Sequence, residues 1–148
     1  MANSSPIFWQ QLLTLPPMSR GFHRIDAQLE ALLQNNIHLS AGLVHLFLQH
    51  TSASLVITEN CCADVRRDLE EFYNQLAPDS IQRYQHNMEG PDDMPAHIKS
   101  TLLGVNLTLP IENGRFALGQ WQGVYLGEHR DKGTARRILV TAYGLSAP

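Results

Sequence analysis

The stretch from His86 to Lys99, HNMEGPDDMPAHIK, gathers two imidazoles, three carboxylates and an amine. Imidazole nitrogens together with carboxylate oxygens suit Zn, Mn and similar divalent ions, and carboxylates alone suit Mg. Gly90 and Pro91 enforce a bend, which lets the polar side chains converge instead of fanning outward. A helix starting near Pro95 aims the free N–H groups of its first turn back at this loop, a setting that attracts anions, phosphate included. His97 then lies in that first turn and His86 on the far arm of the bend, so both can face one pocket. A plainer description also fits: Asp92 or Asp93 caps the helix, and the histidines are surface polar groups. The spacing is neither HExxH nor a Cys-based finger, so it does not choose between the two.

Two further clusters have the makings of a site. Gln49-His50-Thr51-Ser52-Ala53-Ser54 leaves an apolar run and enters a small, hydroxyl-rich turn. His50 there fits a third metal ligand, a general base or simply a half-buried histidine. Thr51, Ser52 and Ser54 offer hydroxyls and N–H groups to an oxyanion or phosphate. No G-x-S-x-G elbow surrounds Ser52, which argues against a hydrolase nucleophile. The third cluster runs from Gly114-Arg115 through Gly119-Gln120-Trp121-Gln122-Gly123-Val124-Tyr125 to Glu128-His129-Arg130. Arg115 can grip phosphate through a two-pronged contact, and Trp121 can stack on a heteroaromatic ring. Gly119 and Gly123 mark a bulge or a close approach to the backbone. Tyr125 reads as a core aromatic, and His23, His38 and His45 read as structural.

The elements that must position these residues follow from apolar spacing. Ile7 to Leu15, closed by Pro16-Pro17, reads as a strand. Ile25, Leu29, Leu32 and Leu33 share one helical face. Gly42 to Leu48 and Leu55 to Thr58 read as strands. Ala63 to Leu76 is helical, with Val65, Leu69, Phe72 and Leu76 as its inward stripe and Arg66, Arg67, Glu70 and Glu71 outside. A shorter helix follows Asp92-Asp93 and ends at Gly104. The rest is β: Val105 to Ile111, a hairpin turn at Asn113-Gly114, then Phe116 to Leu118, Trp121 to Leu126 and Ile138 to Tyr143. Strands and helices do not alternate throughout. That excludes a doubly wound parallel sheet and favours α+β, an antiparallel-rich sandwich with helices packed on one side.

With 148 residues the chain is one domain. The formal charge of −3 comes without a basic stripe, which argues against nucleic-acid binding. No apolar run approaches the ~20 residues of a membrane span, and MANSSPIFWQ lacks a leader pattern. Adjacent cysteines, Cys61 and Cys62, seldom meet disulfide geometry. A reduced, cytoplasmic setting is expected.

The segments HTSASLVITEN (His50 to Asn60), EGPDDMPAHIK (Glu89 to Lys99), LPIENGRFALGQWQGVYLGEHR (Leu109 to Arg130) and RRILVTAYG (Arg136 to Gly144) resemble the YjbQ family, also called secondary thiamine-phosphate synthase proteins. The likeness runs from about Trp9 to Gly144. Gln120 departs from it, standing where the family commonly carries Thr. The resemblance implies a compact α+β sandwich, assembled as a homotrimer with ligand sites near subunit boundaries. It also implies a weak thiamine-phosphate synthase activity, joining a pyrimidine diphosphate to a thiazole phosphate with loss of pyrophosphate. Carried onto this chain, His50, His86 and His97 become candidate ligands of a divalent metal, Mg or Zn. Glu89, Asp92 and Asp93 would orient them or hold Mg-bound pyrophosphate, and Arg115 would take a phosphate. Thr51, Ser52, Ser54, Lys99, Trp121 and Gln122 complete the expected substrate contacts. Two alternatives stand beside the transferase: a non-catalytic trimeric module that binds a metal or phosphorylated metabolite, and a metal-dependent phosphate-ester hydrolase with His50 as base.

Overall fold

The computed structural model describes residues 5–147. Its elements in chain order are β1 (Pro6–Leu15), β2 (Gly21–Arg24), α1 (Asp26–Asn36), β3 (Leu39–Leu48), β4 (Ala53–Glu59), α2 (Ala63–Leu76), α3 (Asp93–Leu103), β5 (Asn106–Glu112), β6 (Arg115–Phe116), β7 (Gln122–Glu128) and β8 (Arg136–Ser146). They form a five-stranded sheet ordered β1-β8-β3-β5-β6 and a three-stranded sheet ordered β2-β7-β4, antiparallel throughout. The fold is α+β, as the order of elements predicts. None of the described helices is long and apolar enough to cross a membrane.

All three described helices pack on the smaller sheet: α1 on β7, α2 on β2 and α3 on β4. The core lies between the sheets. Val44, Leu46 and Leu48 of β3 and Ile138, Val140 and Ala142 of β8 meet Leu55, Val124 and Leu126 across the gap. Strand β8 alternates buried and accessible residues from Arg136 to Tyr143, the pattern of a strand with one covered face. Strand β7 is buried at every position from Gly123 to Glu128, because helices cover one face and the large sheet the other. Tyr125 is fully enclosed there, and its hydroxyl donates to the Glu59 carbonyl at 3.0 Å. The turn joining β5 to β6 has positive φ at both Asn113 (51°) and Gly114 (79°), the backbone a tight hairpin of this twist demands.

Two features differ from the sequence reading. Strand β2 is too short to show a period, and only its pairing with Tyr125–Glu128 of β7 creates it. Helix α2 is turned so that Phe72 and Leu76 are 58% and 55% exposed. The side it lays against the protein is mixed: Val65, Leu69 and Tyr73 are half-buried there together with Arg66, Glu70 and Asn74, and Tyr73 meets Phe22. Arg66 sits 5.9 Å over the Tyr125 ring, and Glu70 and Asn74 hold the guanidinium of Arg20. Half-buried Arg20 requires carboxylate and amide partners, so Glu70 and Asn74 turn inward beside Val65 and Leu69, and Phe72 and Leu76 turn out.

Candidate metal centre

Helix α3 puts Asp93 and His97 one turn apart on the same face, so both side chains reach the same point. His86 comes to that point from the other arm of the bend, where Gly90 takes φ +112°, a conformation other residues rarely adopt. The His86 and His97 rings are 5.4 Å apart between centroids. His86 Nε2 is 2.8 Å from Asp93 Oδ2, and His97 Nε2 is 3.4 Å from Asp93 Oδ1. Donor atoms of these three residues lie within 4.8 Å of one another.

Hydrogen-bond polarity bears on what the cluster can hold. His97 Nδ1 lies 2.8 Å from the Thr51 carbonyl, which can only accept, so Nδ1 carries the hydrogen. In a neutral ring Nε2 then presents a lone pair to a carboxylate oxygen. Two acceptors facing each other repel unless a cation lies between them. Asp93 is 1% exposed in its side chain, and its Oδ2 has no hydrogen-bond partner despite the nearness of His86. A buried carboxylate oxygen without a donor, beside two imidazole nitrogens, fits a divalent ion. The Thr51 carbonyl behind His97 fixes its tautomer, as an outer hydrogen bond does for histidines that bind metals.

Arg130 holds the carboxylates in place. Its Nη1 donates to Asp93 Oδ1, its Nε to Asp92 Oδ2 at 3.0 Å, and its Nη2 to the Glu89 carbonyl at 2.9 Å. Asp92 occupies the N-cap position of α3 but makes no side-chain capping bond. Its Oδ2 instead takes the Asp131 N–H at 3.0 Å. Burial alone would push the Asp92 carboxyl up, yet the Asp131 N–H and the Arg130 guanidinium together hold it below the ordinary range.

The cluster opens on a cavity of about 1090 Å³ whose walls include His50, Thr51, His86, His97 and the apolar Phe47, Met94 and Val105. His50 Nε2 accepts the Arg137 N–H at 2.8 Å, which leaves Nδ1–H as a donor. Burial, with the charges of Arg136 and Arg137, pushes its imidazole down, so it is neutral. His50 therefore shares the cavity as a hydrogen-bond donor, with its lone pair already engaged. Glu89 is exposed at the bend.

The other expected contacts lie elsewhere. Ser54 is buried, with Oγ 2.8 Å from His129 Nε2. Ser52 contributes its carbonyl to the His129 N–H and to Arg136. Lys99 is 1% exposed and donates to Asn74 at 2.6 Å, tying α3 to α2. Burial and the Arg20 charge push its ammonium down. Gln122 pairs with Glu59, six residues of ladder from the Ala53–Glu128 pair beside Thr51. That is about 20 Å of strand. Arg115 and Gln122 line a separate concavity with Arg24 and Asp26, and Trp121 is 58% exposed beside it.

A family model described as UPF0047 protein YjbQ-like matches residues 11–145. The chain belongs to the YjbQ family. It is 48% identical to the UPF0047 protein YjbQ of Escherichia coli O157:H7 over 93% of this chain and 99% of that protein. With the UPF0047 protein of Synechocystis it shares 42% identity, covering 91% of each. Among solved structures, a conserved hypothetical protein from Thermus thermophilus superposes with a TM-score of 0.76 at 37% identity, covering 88% of this chain and 97% of that one. A YjbQ/UPF0047 protein from Clostridium acetobutylicum gives 0.79 at 31%, covering 89% and 98%.

Within this YjbQ-family chain, Arg130 and His129 escaped sequence reasoning as parts of the site's frame. Glu128-His129-Arg130 stood out as polar residues after a strand, but nothing in the spacing paired Arg130 with carboxylates nearly forty positions earlier. Glu128 is itself fully buried and meets Arg136 Nε at 2.6 Å, closing the gap between the sheets.

Proposed function

We propose that the protein is a metal-dependent enzyme that acts on a phosphorylated small molecule, with His86, Asp93 and His97 as the metal ligands. The observation that carries this reading is His97 Nε2 lying 3.4 Å from buried Asp93 with Nδ1 donating to the Thr51 carbonyl, so that the neutral ring turns a lone pair to the carboxylate. Two imidazoles and one carboxylate suit a borderline ion such as Zn or Mn better than Mg. The reaction we assign is the one the family resemblance implies, thiamine-phosphate formation from a pyrimidine diphosphate and a thiazole phosphate.

When bound, the metal supplies a Lewis acid that stabilises charge on departing phosphate oxygens. Arg130 keeps Asp93 aimed. His50 offers Nδ1–H to an oxyanion in the cavity, and the exposed Thr51 hydroxyl lies beside it. Phe47, Met94 and Val105 provide apolar wall for an organic ring.

A homotrimer, the assembly the resemblance implies, belongs to the same proposal. The outer face of the large sheet exposes Phe8, Leu12, Phe47 and Tyr143 at 73%, 41%, 44% and 48%, apolar side chains that a second copy could cover. Phe47 also walls the cavity, so a second copy seated on this face would close it. Arg115 and Trp121 of a neighbouring copy would then supply the phosphate and ring contacts that lie away from the cavity within one chain.

Incubating purified protein with both phosphorylated precursors and added divalent metal tests the reaction. Thiamine phosphate should form at a rate that a chelator abolishes and that His97→Ala lowers at least a hundredfold. Failure to form product, or a His97→Ala variant as fast as the parent, overturns it.

A further inference from the structure

The loop between β4 and α2 carries a second cluster of metal-binding side chains, at the end of the β4–β7 ladder remote from His97. A carboxylate oxygen of Glu59 and the sulfurs of Cys61 and Cys62 lie within 4.8 Å of one another. Both thiols are free and exposed. Cys62 occupies the N-cap of α2, yet its side chain makes no capping bond, so the sulfur remains available.

The backbone beneath the pair is pinned. Glu59 Oε2 accepts the N–H groups of both Cys61 and Cys62 at 3.0 Å. Asn60 donates its own N–H to the Trp121 carbonyl and its side-chain amide to the carbonyls of Gln120 and Gln122, each at 3.0 Å. The Tyr125 hydroxyl holds the Glu59 carbonyl from below. Gly123 permits this closeness, since a Cβ there would lie 3.1 Å from that of Asn60 and 3.0 Å from the Tyr125 ring. These ties fix the Cα positions from which both sulfurs and the carboxylate project, which lowers the ordering cost of binding.

We propose that Cys61, Cys62 and Glu59 form a binding site for a thiophilic divalent ion of the Zn2+ and Cd2+ class, separate from the His86–Asp93–His97 centre. Soft thiolates select such ions over Mg2+ and Ca2+, and the carboxylate supplies a third donor. Exposure of both thiols leaves a fourth position to solvent. Binding replaces the two thiol protons by one ion and releases them to solvent; sulfur is neither oxidised nor reduced. The Cys61 sulfur, followed by the Glu59 charge, pushes the Cys62 thiol up, so the ion displaces that proton rather than meeting a preformed thiolate. Adjacent cysteines close a disulfide only with strain, so the reduced pair is the form that binds.

Cadmium titration of the reduced full-length protein tests this, because thiolate-to-cadmium charge transfer absorbs in the ultraviolet and imidazole or carboxylate ligation does not. One equivalent per chain should produce the band. His86→Ala/His97→Ala should retain it in full, whereas Cys61→Ser and Cys62→Ser should each abolish it or weaken binding at least a hundredfold. Glu59→Gln keeps an acceptor for the two N–H groups but removes the charge, and should weaken binding about tenfold. These positions are solvent-facing, so unchanged melting temperatures confirm that the Cys variants fold. The proposal is overturned by absence of the band, by a band that survives loss of both thiols, by saturation at half an equivalent, or by a Glu59→Gln variant that binds as tightly as the parent.

Discussion

His97 Nε2 and Asp93 Oδ1 face each other at 3.4 Å across one turn of α3, while the Thr51 carbonyl holds the ring's only hydrogen in its neutral form on the far nitrogen. Everything else around the cavity is consistent with keeping that pair fixed. Arg130 neutralises the carboxylates from behind, the Gly90 bend delivers His86 from the side, and His50 approaches with a donor.

The Arg130 clamp sets a stability expectation. Removing it leaves two adjacent, buried carboxylates without their cation, a change that ordinarily costs about 3–5 kcal/mol. Arg130→Ala should therefore lower the melting temperature by about 10 °C. Arg130→Lys restores charge but not the fork, and should fall between the two. Thermal melts of metal-free protein decide this; an Arg130→Ala variant as stable as the parent would remove the clamp from the account.

Acid sensitivity follows from His129. Burial first, then the charges of Lys99, Arg20 and Arg136, hold its imidazole at about 3 in the folded protein. The unfolded ring takes its proton near the ordinary value of about 6.5. Below that pH the unfolded state binds a proton that the folded state refuses. This contribution to stability is thus intact above about pH 6.5 and is lost as the pH falls toward 3, at up to about 1.4 kcal/mol per pH unit. Urea unfolding at pH 7.0 and 4.5 should show a clear loss, reduced in His129→Asn. Equal pH dependence in the two proteins would contradict the assignment.

Assembly through the large sheet predicts that Phe8→Asp/Tyr143→Asp yields monomers by light scattering while retaining the far-ultraviolet dichroism of the parent. If sites are shared between copies, mixing His97→Ala with Arg115→Ala subunits should restore part of the activity that each lacks alone. A parent protein that is already monomeric, or mixtures as inactive as their components, would rule out the shared site.

Much of this architecture is legible in the sequence because local rules govern it. Asn113-Gly114 has the φ preferences of a tight turn, and α3 begins and ends close to where Asp92-Asp93 and Gly104 indicate. What is not legible depends on partners far away in the chain. Strand β2 exists through β7, α2 turns Glu70 and Asn74 inward to meet Arg20, and Asp92 turns from capping its helix to meeting Arg130. The histidine–carboxylate cluster is visible as residue types, but the polarity on which the proposed metal site rests needs the Thr51 carbonyl. Arg115 and Trp121 show the opposite limit: neighbours of the site in motif, they are remote from it in the folded chain.

The most direct measurement is metal content after dialysis against zinc, in a Cys61→Ser/Cys62→Ser background that removes the thiol cluster. One equivalent per chain is expected, falling below a tenth in His97→Ala and in Asp93→Asn. A background protein without bound metal, or a His97→Ala variant that retains a full equivalent, would contradict the metal centre.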